Sequence, residues 1–318
     1  ILSKIYYEEK YHSQDYTKAN KYLVCSALNK YSPAQCYYAS ILYHSEVVQQ
    51  SIKVIIRLFE YASNDNDSTA QFYLGIIYYE NKYIKRDIDK SIHYFTLAAQ
   101  QNHIKAQFNI GIINYEGLYI VRDIKKAIFY FEKAANQNCS LSQYYIGRIY
   151  YENKYIKSDI KKSIYYFSLS SKNGLANSQF MLGHIYYYVE KDIQKAIHYF
   201  TLASIQHFVL AQYYLGMIYI ENIYINQNIN KSIYYFTLSA NQNYYKSQFI
   251  LGVLYSQGLF VKKDIIKAID YFIQSSSNYD GSSFIVGYFY QEGKYVEKDI
   301  LKSINYYKNA SFDIPNNS

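Results

Sequence analysis

The chain repeats itself. From Ala39 through Gly75, Gly111, Gly147, Gly183, Gly216, Gly252 and Gly287, a small residue returns every 36 residues, apart from one step of 33 and one of 35. No other feature constrains the fold as much. A period of this length marks a supersecondary unit that cannot bury its apolar face alone, so copies stack and share one continuous core. Each copy has two segments. The first opens on small-Gln-aromatic and runs into the glycine: Ala70-Gln71-Phe72, Ala106-Gln107-Phe108, Ser142-Gln143-Tyr144, Ser178-Gln179-Phe180, Ala211-Gln212-Tyr213 and Ser247-Gln248-Phe249, with Ala34-Gln35-Cys36 leading to Ala39 upstream. The second reads Asp-Ile-x-Lys-small-Ile-x-Tyr-Phe, as in Asp87–Phe95, Asp123–Phe131, Asp159–Phe167, Asp192–Phe200 and Asp264–Phe272, with Asn228 replacing the Asp once.

These segments carry helix punctuation. Asp at the head of the second segment is suited to cap free backbone N–H groups at the positive end of a helix dipole. Seven residues after the last aromatic stand Asn66, Asn102, Asn138, Gly174 and Asn243, residue types that tolerate the left-handed conformation ending a helix. The linking stretch, Asn81 to Arg86 in one copy, is a loop; the short step removes three of its residues near Tyr188–Lys191. Ala70, Leu74 and Tyr78 step by four and face a core. A glycine in mid-helix costs about 1 kcal/mol against alanine, so its return in consecutive copies implies close helix contact. The pattern predicts an all-α fold, an α-solenoid of antiparallel helix-pair repeats of about 36 residues. It spans 1–312 as a single solenoid: a partial first repeat over 1–30, about eight further repeats, then a polar tail over 313–318. Ile5-Tyr6-Tyr7 matches Ile77-Tyr78-Tyr79, so the chain reads as a fragment that begins inside a first helix.

Together these motifs resemble the Sel1-like repeat family (TPR-like), whose pattern is met at Ala70, Gln71, Leu74, Gly75, Tyr78, Asp87, Lys90, Tyr94, Ala98 and Ala99 and recurs in register over roughly 1–310. The family's loop glycines survive only as Gly117, Gly258 and Gly293, with Asn81, Asn153 and Asn222 elsewhere, and the Cys pairs of its extracellular bacterial branch are missing. The resemblance implies a right-handed superhelix and a role as scaffold or adaptor for protein–protein interaction. It also leaves room for the chain to be the non-catalytic region of a larger multidomain protein, for example one joined to a kinase domain.

The residues offer little chemistry. There is no GxGxxG, no GxxxxGK[ST] and no HExxH. The seven His are scattered, and His93 and His198 share a slot three copies apart, which does not assemble metal donors. No enzyme activity, cofactor or metal is expected. Cys25, Cys36 and Cys139 form no CxxC and no even-numbered framework, and Cys25 and Cys36 read as buried thiols. With no leading signal segment, this fits a cytoplasmic setting. The 45 Tyr and absence of Trp read as codon bias from an AT-rich genome. Ala196–Ile220 carries no Asp, Glu, Lys or Arg, but the register divides it into two helices with a turn near Gln206-His207, so membrane insertion is not expected.

In helix-pair solenoids the first helices line the concave, usual binding face. Offset from the core stripe runs a second row: Phe72, Ile76, Tyr79; Phe108, Ile112, Tyr115; Tyr144, Arg148, Tyr151; Phe180, His184, Tyr187; Tyr213, Met217. Its reading is an aromatic groove for a peptide or protein partner, with Arg148 and His184 selecting it, since aromatics and Arg are the usual interface anchors. The competing reading is that the rings pack on the next unit. A second surface is the loop edge, where Lys82, Lys85, Arg86, Arg122, Lys154, Lys157, Lys262 and Lys294 recur. It suits RNA or an acidic partner, against which stands a plain solvated face with Glu80, Glu116, Glu152 and Glu292 nearby. Spread over the whole chain, the net charge of +8 makes nucleic acid the weaker choice.

Overall fold

A computed structural model describes residues 16–45, 48–221, 228–258 and 260–310. The repeat motif ahead of Tyr16, Asn222 and the tail over 313–318 lie outside the described residues. The described residues form helices and no strand, and they group into two compact units, Ile1–Asn173 and Gly174–Ser318. The first holds α1 (Tyr16–Leu28) and four helix pairs: α2 (Ser32–Tyr43) with α3 (Val48–Asn64), α4 (Ser68–Glu80) with α5 (Ile88–Gln100), α6 (Ile104–Glu116) with α7 (Ile124–Ala135), and α8 (Ser140–Tyr151) with α9 (Ile160–Lys172). The second holds four more: α10 (Ala176–Tyr188) with α11 (Ile193–Ile205), α12 (Val209–Ile220) with α13 (Ile229–Ala240), α14 (Tyr245–Gln257) with α15 (Ile265–Ser275), and α16 (Asp280–Glu292) with α17 (Ile300–Asn309). The fold is an all-α solenoid of helix pairs. The charge-free stretch after Ala196 divides as the register requires, into the end of α11, a turn with His207 at φ 60°, and α12. Among the described residues no helix is long and apolar enough to cross a membrane.

The helix ends follow the sequence punctuation. The Asp87, Asp123, Asp159, Asp192, Asp264 and Asp299 carboxylates each accept from the amide three residues on, at 2.9–3.0 Å, and Asn228 does the same. Each such cap stabilises by about 1 kcal/mol. Asn66, Asn102, Asn138, Gly174 and Asn243 all take positive φ, and so do Asn81, Gly117, Asn153, Gly258 and Gly293 at the ends of first helices. The loop closes on one backbone bond, from the Asp87 amide to the Tyr78 carbonyl nine residues back. In the shortened loop the Asp192 amide reaches Tyr186, six residues back, so three residues are lost without losing the closure.

The mid-helix glycine is a seat for a ring. A methyl group on Gly75, Gly111, Gly147, Gly183, Gly216 or Gly252 would lie 2.5–2.8 Å from the Phe95, Phe131, Phe167, Phe200, Phe236 or Phe272 ring of its own pair. Those six phenylalanines are buried to within 2%. In α2/α3, Ala39 takes the glycine's place and shares a core cluster with Phe59. In alternate pairs a second link crosses the same contact: the Ser91, Ser163 and Ser232 hydroxyls donate to the Gly75, Gly147 and Gly216 carbonyls at 2.8–3.0 Å. Ala127, Ala196 and Ala268 fill that slot in the pairs between.

The glutamine of the first helix stitches three helices. Buried Gln107 donates to the Ala99 carbonyl at the end of α5 and accepts from Gln137, just past α7. Gln143 repeats this with Ala135 and Asn173, and Gln212 with Ser204 and Gln242. The stitch satisfies a helix-terminal carbonyl that has no partner within its own helix. The lysine of the second helix lies over the tyrosine three residues past the glycine: Lys90 over Tyr78, Lys162 over Tyr150, Lys195 over Tyr186, Lys231 over Tyr219, at 5.0–5.1 Å. A second tyrosine stacks beneath it, as Tyr94 does under Tyr78 at 5.9 Å. Two pairs depart: Leu42 and Val54 hold the tyrosine and lysine slots of α2 and α3, and Asn114 holds the tyrosine slot of α6 and turns its amide onto the Ile110 carbonyl.

Candidate protein-interaction surface

The row read from the sequence lies on the first helices, and its three positions behave differently. The leading ring packs on the seated phenylalanine of its own pair. Phe72–Phe95, Phe108–Phe131, Tyr144–Phe167, Phe180–Phe200 and Tyr213–Phe236 have ring centroids 5.7–6.0 Å apart. Phe72 is buried and the other four are half-buried. This position spends much of its area inside the pair, and one edge stays open to solvent.

The middle position is half-buried throughout. Ile76, Ile112 and Met217 pack against clusters that include the following first helix. Arg148 keeps its charge within the helix: Nε donates to Glu152 Oε1 at 2.8 Å, and the guanidinium lies 5.8–5.9 Å from the centres of the Tyr144 and Tyr145 rings. Burial is the largest single influence and opposes this cation, but the Glu152 hydrogen bond, Tyr115, Tyr144 and the Glu152 charge together outweigh it and hold the guanidinium above its ordinary pKa. His184 lies against Tyr188 and Phe180. Burial pushes its pKa below the ordinary value, which favours the neutral ring.

Tyr79, Tyr115 and Tyr187 reach the next pair. The Tyr115 hydroxyl donates to Glu152 Oε2 at 3.4 Å, and the Tyr187 hydroxyl to Glu221 at 3.2 Å. Upstream, Tyr43 donates to Glu80. Tyr79 meets Tyr119 edge-on. Burial, with Glu116 and Tyr119 next, raises the Tyr79 pKa, and burial alone raises that of Tyr151. Glu152 is therefore shared by Tyr115 and Arg148, a fixed polar knot in a half-exposed aromatic row.

In the second compact unit the row opens into a cleft of about 270 Å³, lined by Tyr213, Lys246, Phe249, Ile250 and Tyr279. Tyr279 closes one side, 4.6 Å from Phe249 between ring centroids. Lys246, Ile250 and Tyr279 are not in the row. They come from the first turns of α14, off the stripe, and from the turn before α16, so a stripe stepped along first helices passes them by. The signal available was positional, a lysine directly ahead of Ser247-Gln248.

Eight stretches match the family model described as Sel1 repeat: residues 2–31, 68–103, 104–139, 140–175, 176–207, 209–244, 246–280 and 282–311. The chain belongs to the Sel1 repeat family. The match passes over 32–67, yet α2 and α3 form a helix pair there, with Ala39 in place of the glycine. The crystal structure of c5321, a protective antigen present in uropathogenic Escherichia coli strains displaying an SLR fold, aligns with a TM-score of 0.81 at 24% identity, over 97% of this chain and 67% of that one. A Sel1 repeat protein from Oxalobacter formigenes aligns with a TM-score of 0.76 at 23% identity, over 91% of this chain and 85% of that one. Identities this low speak to the fold. No curated protein matches the sequence.

Sel1 repeats are in general non-enzymatic scaffolds for protein interaction. Among the described residues no three His, Cys, Asp or Glu side chains gather where they could hold a metal. Cys36 is buried, its thiol pushed up to about 12 by burial and by Asp67. Cys25 is exposed, contrary to the sequence reading, because it lies on the side of α1 away from Leu23 and Ala27, which supply the contacts there.

Proposed function

We propose that this Sel1 repeat chain is a scaffold that captures a peptide or helix of a protein partner on its first-helix faces. The observation that carries the reading is the cleft between Tyr213, Phe249 and Tyr279, with Lys246 at its rim. Aromatic walls accept an apolar side chain, and a single lysine favours a carboxylate next to it. The row of the first unit, Phe72, Ile76, Tyr79, Phe108, Ile112, Tyr115, Tyr144, Arg148 and Tyr151, offers a second face of the same kind. On the second unit Phe180, His184, Tyr187 and Met217 extend the face that holds the cleft.

The test is peptide selection on the immobilised chain, followed by affinity measurement on variants. Selected peptides are expected to carry an aromatic or aliphatic residue beside Asp or Glu. Lys246→Glu, or Arg148→Ala with Tyr151→Ala, should weaken capture about tenfold, the loss of one interface anchor, with unchanged helicity by circular dichroism. Peptides that bind all three forms equally would overturn the assignment.

A further inference from the structure

The loop edge of the first compact unit carries an irregularity that the first-helix face does not use. Three loops follow one another there, all built on the same frame. The loop after α4 is Asn81-Lys82-Tyr83-Ile84-Lys85-Arg86, and the loop after α8 is Asn153-Lys154-Tyr155-Ile156-Lys157-Ser158. Between them, the loop after α6 is Gly117-Leu118-Tyr119-Ile120-Val121-Arg122. The two slots filled by lysine in both outer loops hold Leu118 and Val121 in the middle one. These are the outward slots of the frame: Leu118 is 68% exposed and Val121 92%. Single exposed aliphatics are ordinary on protein surfaces. Two of them at adjoining outward slots of one loop, where both neighbouring loops place cations, are not scattered.

The three loops are tied to one another. The Arg86 guanidinium lies 4.3 Å from the centre of the Tyr119 ring, and Arg122 lies 4.8 Å from that of Tyr155. Arg86 also donates to the Tyr79 carbonyl, and Arg122 to the Tyr115 and Glu116 carbonyls. The apolar tip is thus held between the two lysine loops. Most nearby carboxylates have other work: Asp87, Asp123 and Asp159 cap helices, while Glu80 and Glu152 accept from tyrosines; Glu116 acts on Tyr79 and Tyr145 of the first-helix face. Among the described residues none of Lys82, Lys85, Lys154 and Lys157 enters an ion pair.

We propose that this edge docks on the surface of an anionic lipid bilayer, with Leu118 and Val121 at the headgroup–acyl boundary and the four lysines over the headgroups. Apolar side chains projecting beside lysines suit a surface that is anionic above and apolar below. An RNA backbone would neutralise the lysines but leave Leu118 and Val121 in water, and for that reason it is the lesser fit. Docking of this kind is peripheral and needs no spanning helix.

The chain has no tryptophan, so Leu118→Trp places a lone tryptophan at the tip, excited selectively at wavelengths beyond tyrosine absorption. With vesicles of phosphatidylcholine and phosphatidylserine its emission should shift to the blue and be quenched by brominated lipids; with phosphatidylcholine alone it should not. In flotation, the unmodified chain should follow the anionic vesicles, less so in high salt. Leu118→Glu with Val121→Glu should cut partitioning about tenfold or more. Leu118→Lys with Val121→Lys installs residues the same frame already carries in both neighbours, which keeps the fold; it should still bind but lose the salt-resistant part. Reversing Lys82, Lys85, Lys154 and Lys157 to Glu should abolish binding. An unshifted reporter would overturn the proposal. So would vesicle binding indifferent to Leu118 and Val121, or capture of single-stranded RNA without capture of vesicles.

Discussion

Gly111→Ala would ordinarily stabilise a helix, because alanine exceeds glycine by about 1 kcal/mol in helix propensity. Here the added methyl would stand 2.6 Å from two atoms of the Phe131 ring, where ordinary contact begins at 3.4 Å. The ring has nowhere to go. Its other face is stacked by Tyr145 at 5.3 Å, Phe108 flanks it at 5.9 Å, and its exposure is 0%. Overpacking of a closed core costs about 1–3 kcal/mol, and a ring pinned on both faces belongs at the upper end. Subtracting the propensity gain leaves a net loss of about 2 kcal/mol. Phe131→Ala alone should cost about 3–5 kcal/mol by opening a cavity. On that background the methyl fills space, so Gly111→Ala should regain about 1 kcal/mol. The cycle therefore predicts a coupling of about 3 kcal/mol between the two sites. Hydrogen exchange of the α6 and α7 amides reads the local stability, and urea unfolding reads that of the array. A Gly111→Ala protein more stable than the parent would refute the seat, and so would equal effects with and without the Phe131 ring.

Two further outcomes follow from buried polar groups. Ser142 and Ser247 bury hydroxyls with no hydrogen-bond partner among the described residues, in a slot that is alanine at Ala70, Ala106 and Ala211; Ser142→Ala and Ser247→Ala should each raise stability by about 1 kcal/mol, and a loss on urea unfolding would contradict this. His103 caps α6 through Nδ1, which accepts from the Ala106 amide, and burial, with Lys105 next, lowers its pKa from 6.5. The unfolded chain takes up that proton first, so the cap's contribution is complete above about pH 6.5 and declines as pH falls through the folded value. His103→Asn keeps a capping side chain and should flatten this part of the stability–pH curve; a parent protein that gains stability on acidification through that range would refute it.

The sequence disclosed the frame because the frame is built from residue types with narrow uses. A mid-helix glycine, an Asp ahead of Ile and an Asn seven residues past a Phe each do one thing, and each sits where its chemistry implies. Gln107 and its equivalents were visible as a motif but not as a stitch, since a glutamine's partners are backbone carbonyls that a sequence does not distinguish. The binding row was half legible. Stepping along a helix finds Phe72, Ile76 and Tyr79, but it cannot show that the leading ring is drawn onto the Phe of its own pair. The Arg148–Glu152 pairing was within reach, as residues four apart on a helix face one another. Leu118 and Val121 escaped because a repeat is read by what its copies share, and their two slots vary from copy to copy.

Tyr73, Tyr145 and Tyr214 stack on Phe59, Phe131 and Phe200 of the preceding pair, at 5.0–5.3 Å and nearly parallel. The same slot is Asn109 and Met181 in the pairs between, and Ile250 and Ile285 in the last two, where the side chain is not a ring. From α4 to α13, pairs that carry the ring in this slot thus alternate with pairs that do not. The welded segments are 32–103, 104–175 and 176–244, and the division between compact units after Asn173 falls at the close of one of them. Within those segments a piece that is cut out, moved or copied keeps its weld only when it holds both repeats that the stacked rings join.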